Sequence, residues 1–390
     1  MTALDLRSLT LMAFMTSMVM GFVILMLRRH YPQSIRGMGL WGLAPLVAGS
    51  STVLYGLDSL LPQWLVVIFG NGLLMAGCAL FYFGSRRFLG LPTGWRPWTV
   101  VGLLAVLWHA FFLQVHPDYR LRLAVFTLTL ALLLSIHVGL LLRRGCGFAA
   151  RFTAGVLALQ VLVLVFRGVS TFWLDSADTH RFAPSTVQSI YLAAYSLSVL
   201  FVSVGVLLMG SERLRVELEH LANHDGLTGA LTRRALLDAC THEFGRWQRY
   251  GHGFALLMLD VDHFKQINDR HGHAGGDQVL RALVLSLARV LRAVDRLGRY
   301  GGEEFLVLMP QTSMAEACQA AERMRLAVAQ RFTAPELPAC TVSIGVAEVR
   351  AGDTSLDAVL ARADAALYQA KRLGRNRVEA DAGSVAVHQP

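Results

Sequence analysis

F-A-L-L-M-L-D-V-D (254–262) and R-Y-G-G-E-E-F-L-V-L (299–308) decide the architecture of the C-terminal half. Each joins an apolar run, of the length of a buried strand, to acids at the strand end. Asp260 closes the first run and Asp262 follows it. Gly301-Gly302 precede Glu303-Glu304, and Phe305 to Leu308 continue as the second run. Glycines at such a point permit a tight hairpin and let a ligand approach the backbone. Carboxylates from a strand end and a neighbouring turn can converge on a hard cation. Mg²⁺ in particular takes carboxylate oxygens together with substrate phosphates. Two metals held in this way activate a hydroxyl and steady a phosphoryl-transfer transition state. Any one of these acids alone is an ordinary turn or surface residue; together they point to metal-dependent phosphate chemistry.

Around these strands the pattern is mixed. Helices are predicted over 232–250, 275–293, 313–330 and 355–373, and strands over 254–260, 304–309 and 340–347. Such an alternation packs helices on a sheet.

Upstream the composition changes. The chain has 390 residues, 54% hydrophobic and 16% charged, with mean hydropathy +0.47, too apolar for an ordinary soluble protein. Residues 1–210 hold 14 Arg, no Lys and 5 acids; of the 36 basic and 27 acidic residues in the chain, 22 of each are left for the remainder. The whole basic excess therefore lies in the apolar half, where it reads as a topology signal and not as a nucleic-acid groove. Seven stretches are long and apolar enough to span a bilayer: 9–27, 38–57, 64–84, 98–115, 122–142, 152–174 and 187–209. The first is too long for a signal peptide, and no small-residue cleavage site follows it. Arg28, Arg29 and Arg36, then Arg86, Arg87 and Arg96, then Arg143, Arg144 and Arg151, then Arg213 and Arg215 fall on alternate loops. The opposite side has only Arg7, Arg120, Arg122 and Arg181. Positive residues stay cytosolic, which puts the N-terminus outside and everything after 210 inside. Arg167 within the sixth span either marks a ligand or pathway or snorkels to the interface. His109 and His137 share that ambiguity. The five cysteines are scattered, so neither a zinc site nor a disulfide framework is indicated.

From Ser211 to Asn223 the sequence is charged and helical, with Leu214, Leu218 and Leu221 on one seam. It is either the solvated end of the last span or a short parallel dimer helix.

The C-terminal half resembles the GGDEF family of diguanylate cyclases over residues 224–379. The motifs are D-G-L-T-G-A-L-T-R-R (225–234), M-L-D-V-D-H-F-K-Q-I-N-D (258–269), G-H-A-G-G-D (272–277), R-Y-G-G-E-E-F (299–305), V-S-I-G-V-A (342–347) and D-A-A-L-Y-Q-A-K-R-L-G-R-N-R-V (364–378), in order. The resemblance implies an α+β palm-like nucleotidyl cyclase domain over 225–380, behind an all-α membrane bundle (1–210) and a helical linker (211–224), with a flexible tail at 381–390. It implies an enzyme that joins two GTP into cyclic di-GMP as a homodimer in the bacterial inner membrane, in contact with lipid and not with nucleic acid. Asp260, the Val261 carbonyl, Glu303 and Glu304 would hold Mg²⁺, with Mn²⁺ as the alternative. Glu303 would also serve as candidate base for the ribose 3′-hydroxyl, and Lys265 would stabilise charge on the reacting phosphate. Asn268 and Asp277 would bind guanine, with His273 beside the nucleoside. Lys371 and Arg375 would hold the terminal phosphates. Arg292 and Asp295 match the RxxD site at which cyclic di-GMP inhibits the family's enzymes. A non-catalytic cyclic di-GMP receptor, or a membrane sensor with a degenerate output domain, is the rival reading. Departures are Ala230, Thr232 and His271, none at an implied metal or phosphate contact.

Overall fold

The structure is a computed structural model that describes residues 6–116, 118–173, 186–332 and 338–381. It divides into two compact units, Met1–Val216 and Glu217–Pro390. Arg181 and nearly all of the expected tail lie outside the described residues.

The first unit is helical: α1 (Leu6–Arg28), α2 (Met38–Gly56), α3 (Gln63–Phe88), α4 (Arg96–Ala110) with a π-helical extension (Phe111–Val115), α5 (Tyr119–Arg144), α6 (Gly147–Ser170) and α7 (Thr186–Asn223). Among the described residues these seven helices are long and apolar enough to cross a membrane. Each of the seven stretches read from the sequence falls on one of them. The last stretch and the charged segment after it are a single unbroken helix, α7. Pro45 lies inside α2, which passes it without ending.

Small residues set the helix spacing. A Cβ on Gly42 would come within 2.7 Å of Leu25 on α1, and one on Gly77 within 2.6 Å of Ala48 on α2. Such close approach of backbones multiplies the dispersion contacts between the helices. Buried polar groups find partners. Trp41 Nε1 donates to Ser85 Oγ at 3.1 Å, and His137 Nε2 lies 2.8 Å from the same oxygen. His109 Nδ1 sits 2.7 Å from the Ala105 carbonyl. Both histidines therefore have local partners. Arg167 is buried at the end of α6, its guanidinium 4.1 Å from the ring centre of Tyr191.

The second unit runs β1 (Leu231–Thr232), α8 (Arg233–Tyr250), β2 (Phe254–Val261), α9 (Phe264–Ala288), β3 (Arg296–Arg299), β4 (Glu304–Pro310), α10 (Met314–Arg331), β5 (Val342–Glu348), α11 (Leu356–Arg372) and β6 (Val378–Ala380). The sheet order is β1-β3-β4-β2-β5-β6. Strand β2 is central and antiparallel to both β4 and β5, whereas the two edge pairings are parallel. Every residue of β2 is buried. Its two faces go into two cores: Leu257 and Leu259 pack with Val279, Leu283 and Met324 of α9 and α10. Leu256 and Met258 pack with Leu236, Phe244, Leu360 and Leu367 of α8 and α11. A strand covered on both sides loses the polar alternation of a surface strand, which is why it reads as one apolar run.

Two differences from the sequence reading have local causes. The helix expected over 275–293 starts earlier and ends at Ala288. It is broken at Gly272 (φ 67°, ψ 171°) into two helical segments. Strands β1, β3 and β6 are short and partly exposed, so they carry no apolar run to reveal them.

Candidate active site

The site is built where β2 ends. Asp260 stands opposite Glu304 in the β2–β4 ladder, and the Val261 amide donates to the Glu303 carbonyl at 3.3 Å. The Gly301-Gly302 turn is closed by two amides, Tyr300 and Gly301, on the Glu304 carbonyl at 2.8 and 3.1 Å. A Cβ on Gly301 would lie 2.5 Å from Glu304 Oε2, so the turn has room for that carboxylate only because it carries no side chain.

A clamp fixes this turn from outside. Arg299 Nη2 donates to the Gly302 carbonyl at 2.6 Å, and its Nη1 donates to Asp225 Oδ1 at 3.2 Å. Asp225 also accepts from Thr228 N and Oγ1, at 2.9 and 2.7 Å. Partial burial pushes the Asp225 carboxyl up, but the Thr228 and Arg299 bonds outweigh it and hold it below the usual range. The D-G-L-T-G segment thus positions the Gly-Gly turn through one arginine. The motif was legible; this role was not.

Lys371, at the end of α11, places Nζ 2.8 Å from Asp260 Oδ2. The route of α11 to this point depends on Gly345 in β5. A Cβ there would collide with the Leu367 amide nitrogen and the Ala363 carbonyl, so the helix backbone lies directly on the strand. Burial pushes the Asp260 carboxyl above its ordinary range, against the opposing pull of Lys371. Glu303 is raised too, by burial and then by the charge of Asp260. Two neighbouring carboxyls, both raised and set beside a single ammonium, form a site that gains from a further positive charge.

Asp262 is a buried hub. Its carboxylate accepts from Thr341 Oγ1 and Ser343 Oγ, both at 2.7 Å, and from the Asn376 amide at 3.0 Å. This ties the end of β2 to β5 and to the turn after α11, where Gly374, Arg375 and Asn376 all have positive φ. Sequence reading noted Asp262 but gave it no task. Asp262→Ala should destabilise the unit by about 3 kcal/mol, since it strands two hydroxyls and an amide. It should also release the turn that carries Arg375. Urea unfolding measures the first effect; unchanged stability would contradict the hub.

The expected residues distribute as follows. Asp260, Val261, Glu303, Glu304 and Lys371 come together at the strand end. Arg375 lies past the end of α11 and is exposed, yet its charge reaches Asp260. Lys265 is exposed in the first segment of α9, and His273 is exposed just after the Gly272 break. Asn268 and Asp277 flank that break. A Cβ on Gly276 would collide with Asn268 Oδ1, so the side-chain amide lies against the Gly276-Asp277 backbone. Arg292 and Asp295 sit beyond the other end of β3. Arg292 is exposed, and Asp295 is buried with Oδ2 accepting from the Arg292 amide at 2.8 Å.

Among the described residues no three His, Cys, Asp or Glu side chains form a metal cluster. Two carboxylates and a carbonyl nevertheless suit a cation that completes its shell with phosphate oxygens. Composition supplied one signal that went unread. Lys265 and Lys371 are the only lysines in the chain, against 34 arginines. A sequence that otherwise uses Arg throughout keeps a compact ammonium at these two positions, the kind of point charge that suits a phosphate or a single carboxylate oxygen.

The family profile described as "Diguanylate cyclase, GGDEF domain" matches residues 222–377. Those residues form a GGDEF domain. This domain is similar to Diguanylate cyclase DgcM of Escherichia coli K12, 44% identical over 169 residues, 43% of this chain and 40% of that one. It is similar to Response regulator PleD of Caulobacter vibrioides, 42% identical over 175 residues, 43% of this chain and 38% of that one. Among solved structures it resembles the GGDEF domain of DgcB from Caulobacter crescentus in complex with c-di-GMP. That match has 38% identity and a TM-score of 0.40, and covers 42% of this chain and 94% of that chain. The chain spans about two fifths of the length of these curated relatives.

Proposed function

We propose that the chain is a membrane-anchored diguanylate cyclase that condenses two GTP into cyclic di-GMP with release of two pyrophosphates. The observation that carries this reading is the meeting of Asp260 and Glu303 at one strand end with Lys371 on Asp260. Relatives named as diguanylate cyclases, 41–44% identical over this domain, support it.

In this reading Asp260, Glu303 and the Val261 carbonyl hold a divalent cation, Mg²⁺ or Mn²⁺, with Glu304 assisting. When bound, the cation neutralises phosphate charge and lowers the pKa of the attacking hydroxyl. Glu303 stands as acceptor for the 3′-hydroxyl proton. Lys265, Lys371 and Arg375 hold negative charge on the phosphates, and Lys371 turns from Asp260 to the triphosphate as substrate arrives. Asn268 and Asp277 accept and donate along the guanine edge, with His273 beside the nucleoside. A carboxylate at 277 accepts from guanine N1–H and N2–H₂, which adenine lacks in that geometry.

Asp277→Ala should lower kcat/KM for GTP by about 100-fold. It should also narrow the gap between GTP and inosine triphosphate, which lacks the exocyclic amine. Steady-state rates with both nucleotides test this; an unchanged ratio would remove Asp277 from the pocket.

Each domain binds one GTP, so the product requires two domains face to face. The linker leucines suit this: Leu218 and Leu221 on α7 are 55% and 65% exposed, an apolar seam ready for a second copy. The domain order is a membrane bundle (1–210), a helical linker (211–224) and the cyclase domain (225–380). The N-terminus faces outside the inner membrane and the cyclase faces the cytosol. Arg292 and Asp295, at the far end of β3 from Glu303, are the inhibitory site for cyclic di-GMP. Their separation from the catalytic end suits control of domain orientation more than competition with GTP. The deciding experiment incubates the full chain, in detergent or nanodiscs, with GTP and Mg²⁺. Cyclic di-GMP is expected, and its absence under all divalent cations would end the proposal.

A further inference from the structure

Six helices of the first unit bring polar side chains to one end of the bundle. A cavity of about 140 Å³ there is lined from Thr10 on α1, Thr52 on α2, Asn71 on α3, Arg122 on α5, Arg167 on α6 and Gln188 on α7. In the alternating topology these positions all lie at the ends facing outside. Each is near the start of an odd-numbered helix or the finish of an even-numbered one. The convergence therefore follows from the chain's path and is not a scatter of stray polar groups.

The lining carries a net positive charge. Among the described residues it holds two guanidiniums, Arg122 and Arg167, and one carboxylate, Asp58. Arg167 is 8% exposed, and burying a guanidinium in an apolar bundle is expensive enough to call for a role. It is held rigidly. Its guanidinium lies on the Tyr191 ring at 4.1 Å. A Cβ on the next residue, Gly168, would come within 2.7 Å of Thr127 Oγ1, so α6 and α5 are in close contact here. Arg122 is similarly placed near the Tyr119 ring, at 5.6 Å. Val67, Leu123 and Phe126 give the same cavity an apolar wall. Two guanidiniums lining one cavity suit a planar carboxylate, and the wall suits a short carbon skeleton, which phosphate or sulfate does not have. A cavity of this size holds a guest about as large as benzene. The adjoining cavity of about 110 Å³, around Pro45, Gly77 and Leu157, has an almost wholly apolar surface, so the charge is confined to the outer one.

The pocket also touches the helix that leaves the bundle. Along α7, Tyr191, Ser198, Gly205 and Glu212 recur every seventh residue and meet α6 in turn. Tyr191 lies under Arg167, and Ser198 Oγ donates to Gln160 Oε1 at 2.8 Å. A Cβ on Gly205 would collide with Thr153 Oγ1, and Glu212 Oε1 accepts from the Ala149 amide at 3.2 Å. Arg167 is at the head of this ladder.

We propose that the outer-end cavity binds a small water-soluble carboxylate, gripped by Arg167 and Arg122, and that α7 registers its arrival through Tyr191. Binding goes beyond the cyclase reading and does not require it; only the side of entry rests on the orientation proposed above.

The test is isothermal titration of the full chain in phosphatidylcholine nanodiscs with short carboxylates from acetate to glutarate, each beside its neutral amide. At least one carboxylate should bind at millimolar concentration or better, with its amide at least about tenfold weaker. Arg167→Gln should weaken binding about tenfold or more, and Arg122→Gln should do so independently, which covers the case of one variant failing to fold. Nanodiscs containing phosphatidylglycerol should bind the carboxylate equally well. No binding by any carboxylate, or equal binding by both variants, overturns the proposal. Loss of binding when phosphatidylglycerol is present would assign the cavity to a lipid headgroup and overturn it as well.

Discussion

Glu303→Ala is expected to cut cyclic di-GMP formation by about 10³-fold or more while leaving the fold intact. Its side chain is a half-buried member of the carboxylate pair, and on the proposed reading its loss removes a cation ligand and the acceptor for the ribose proton together. Rates measured with saturating GTP and Mg²⁺ check this. A loss of tenfold or less would remove Glu303 from the chemistry. Glu303→Gln adds a readout that activity does not supply. The Glu303 carboxyl is raised above its ordinary range by burial and by Asp260. A raised acid binds its proton more tightly folded than unfolded, so stability falls as pH rises from the ordinary pKa through the raised one. The metal-free Gln variant should therefore melt higher than wild type at neutral pH. That advantage should vanish below about pH 4.3, where an ordinary glutamate has taken up its proton in both states. A Gln variant that melts lower at neutral pH would mean that the carboxylate stabilises the fold. Such a result would contradict a site strained for function.

Gly345→Val should be nearly as damaging by a different route. Its Cβ would collide with backbone atoms of α11, and backbone cannot swing aside as a side chain does. The helix must lift from β5, which opens the core around Leu360 and Leu367. The cost should be about 3 kcal/mol or more. Activity should fall with it, because Lys371 leaves Asp260 when α11 moves. Gly352→Ala is the matched control: that glycine faces open space, so the change should stay within about 0.5 kcal/mol. Urea unfolding of both variants separates the cases, and equal midpoints would show that α11 is not seated as described.

These two residues also mark what could be read from the chain alone. Strands β2 and β4 were legible because burial on both faces makes them unbroken apolar runs, each with acids at one end. The long apolar helices were legible for a similar reason: each stays apolar over most of its length. Strand β3 was not, since R-L-G-R (296–299) has no run, and its role comes from pairing with β4. The first segment of α9 was missed because Gly272 breaks the helix and only Phe264 and Ile267 mark its buried side. Among site residues, the acids and lysines stood out by motif. The tasks of Asp225, Arg299 and Asp262 did not, because each acts on segments far away in sequence. Gly345 was visible within V-S-I-G-V-A. That a helix backbone lies on it is a tertiary fact with no local signal.

The scarcity of lysine has a practical consequence. Reagents that acylate side-chain amines find targets only at positions 265 and 371. One target is solvent-facing and the other is held against a buried carboxylate. On the proposed reading, bound nucleotide would cover both amines, so labelling at these two side chains, resolved from the N-terminal α-amine by peptide mapping, should fall as nucleotide is added. Lysine acetylation of this sequence is confined to the same two positions, both in the second unit.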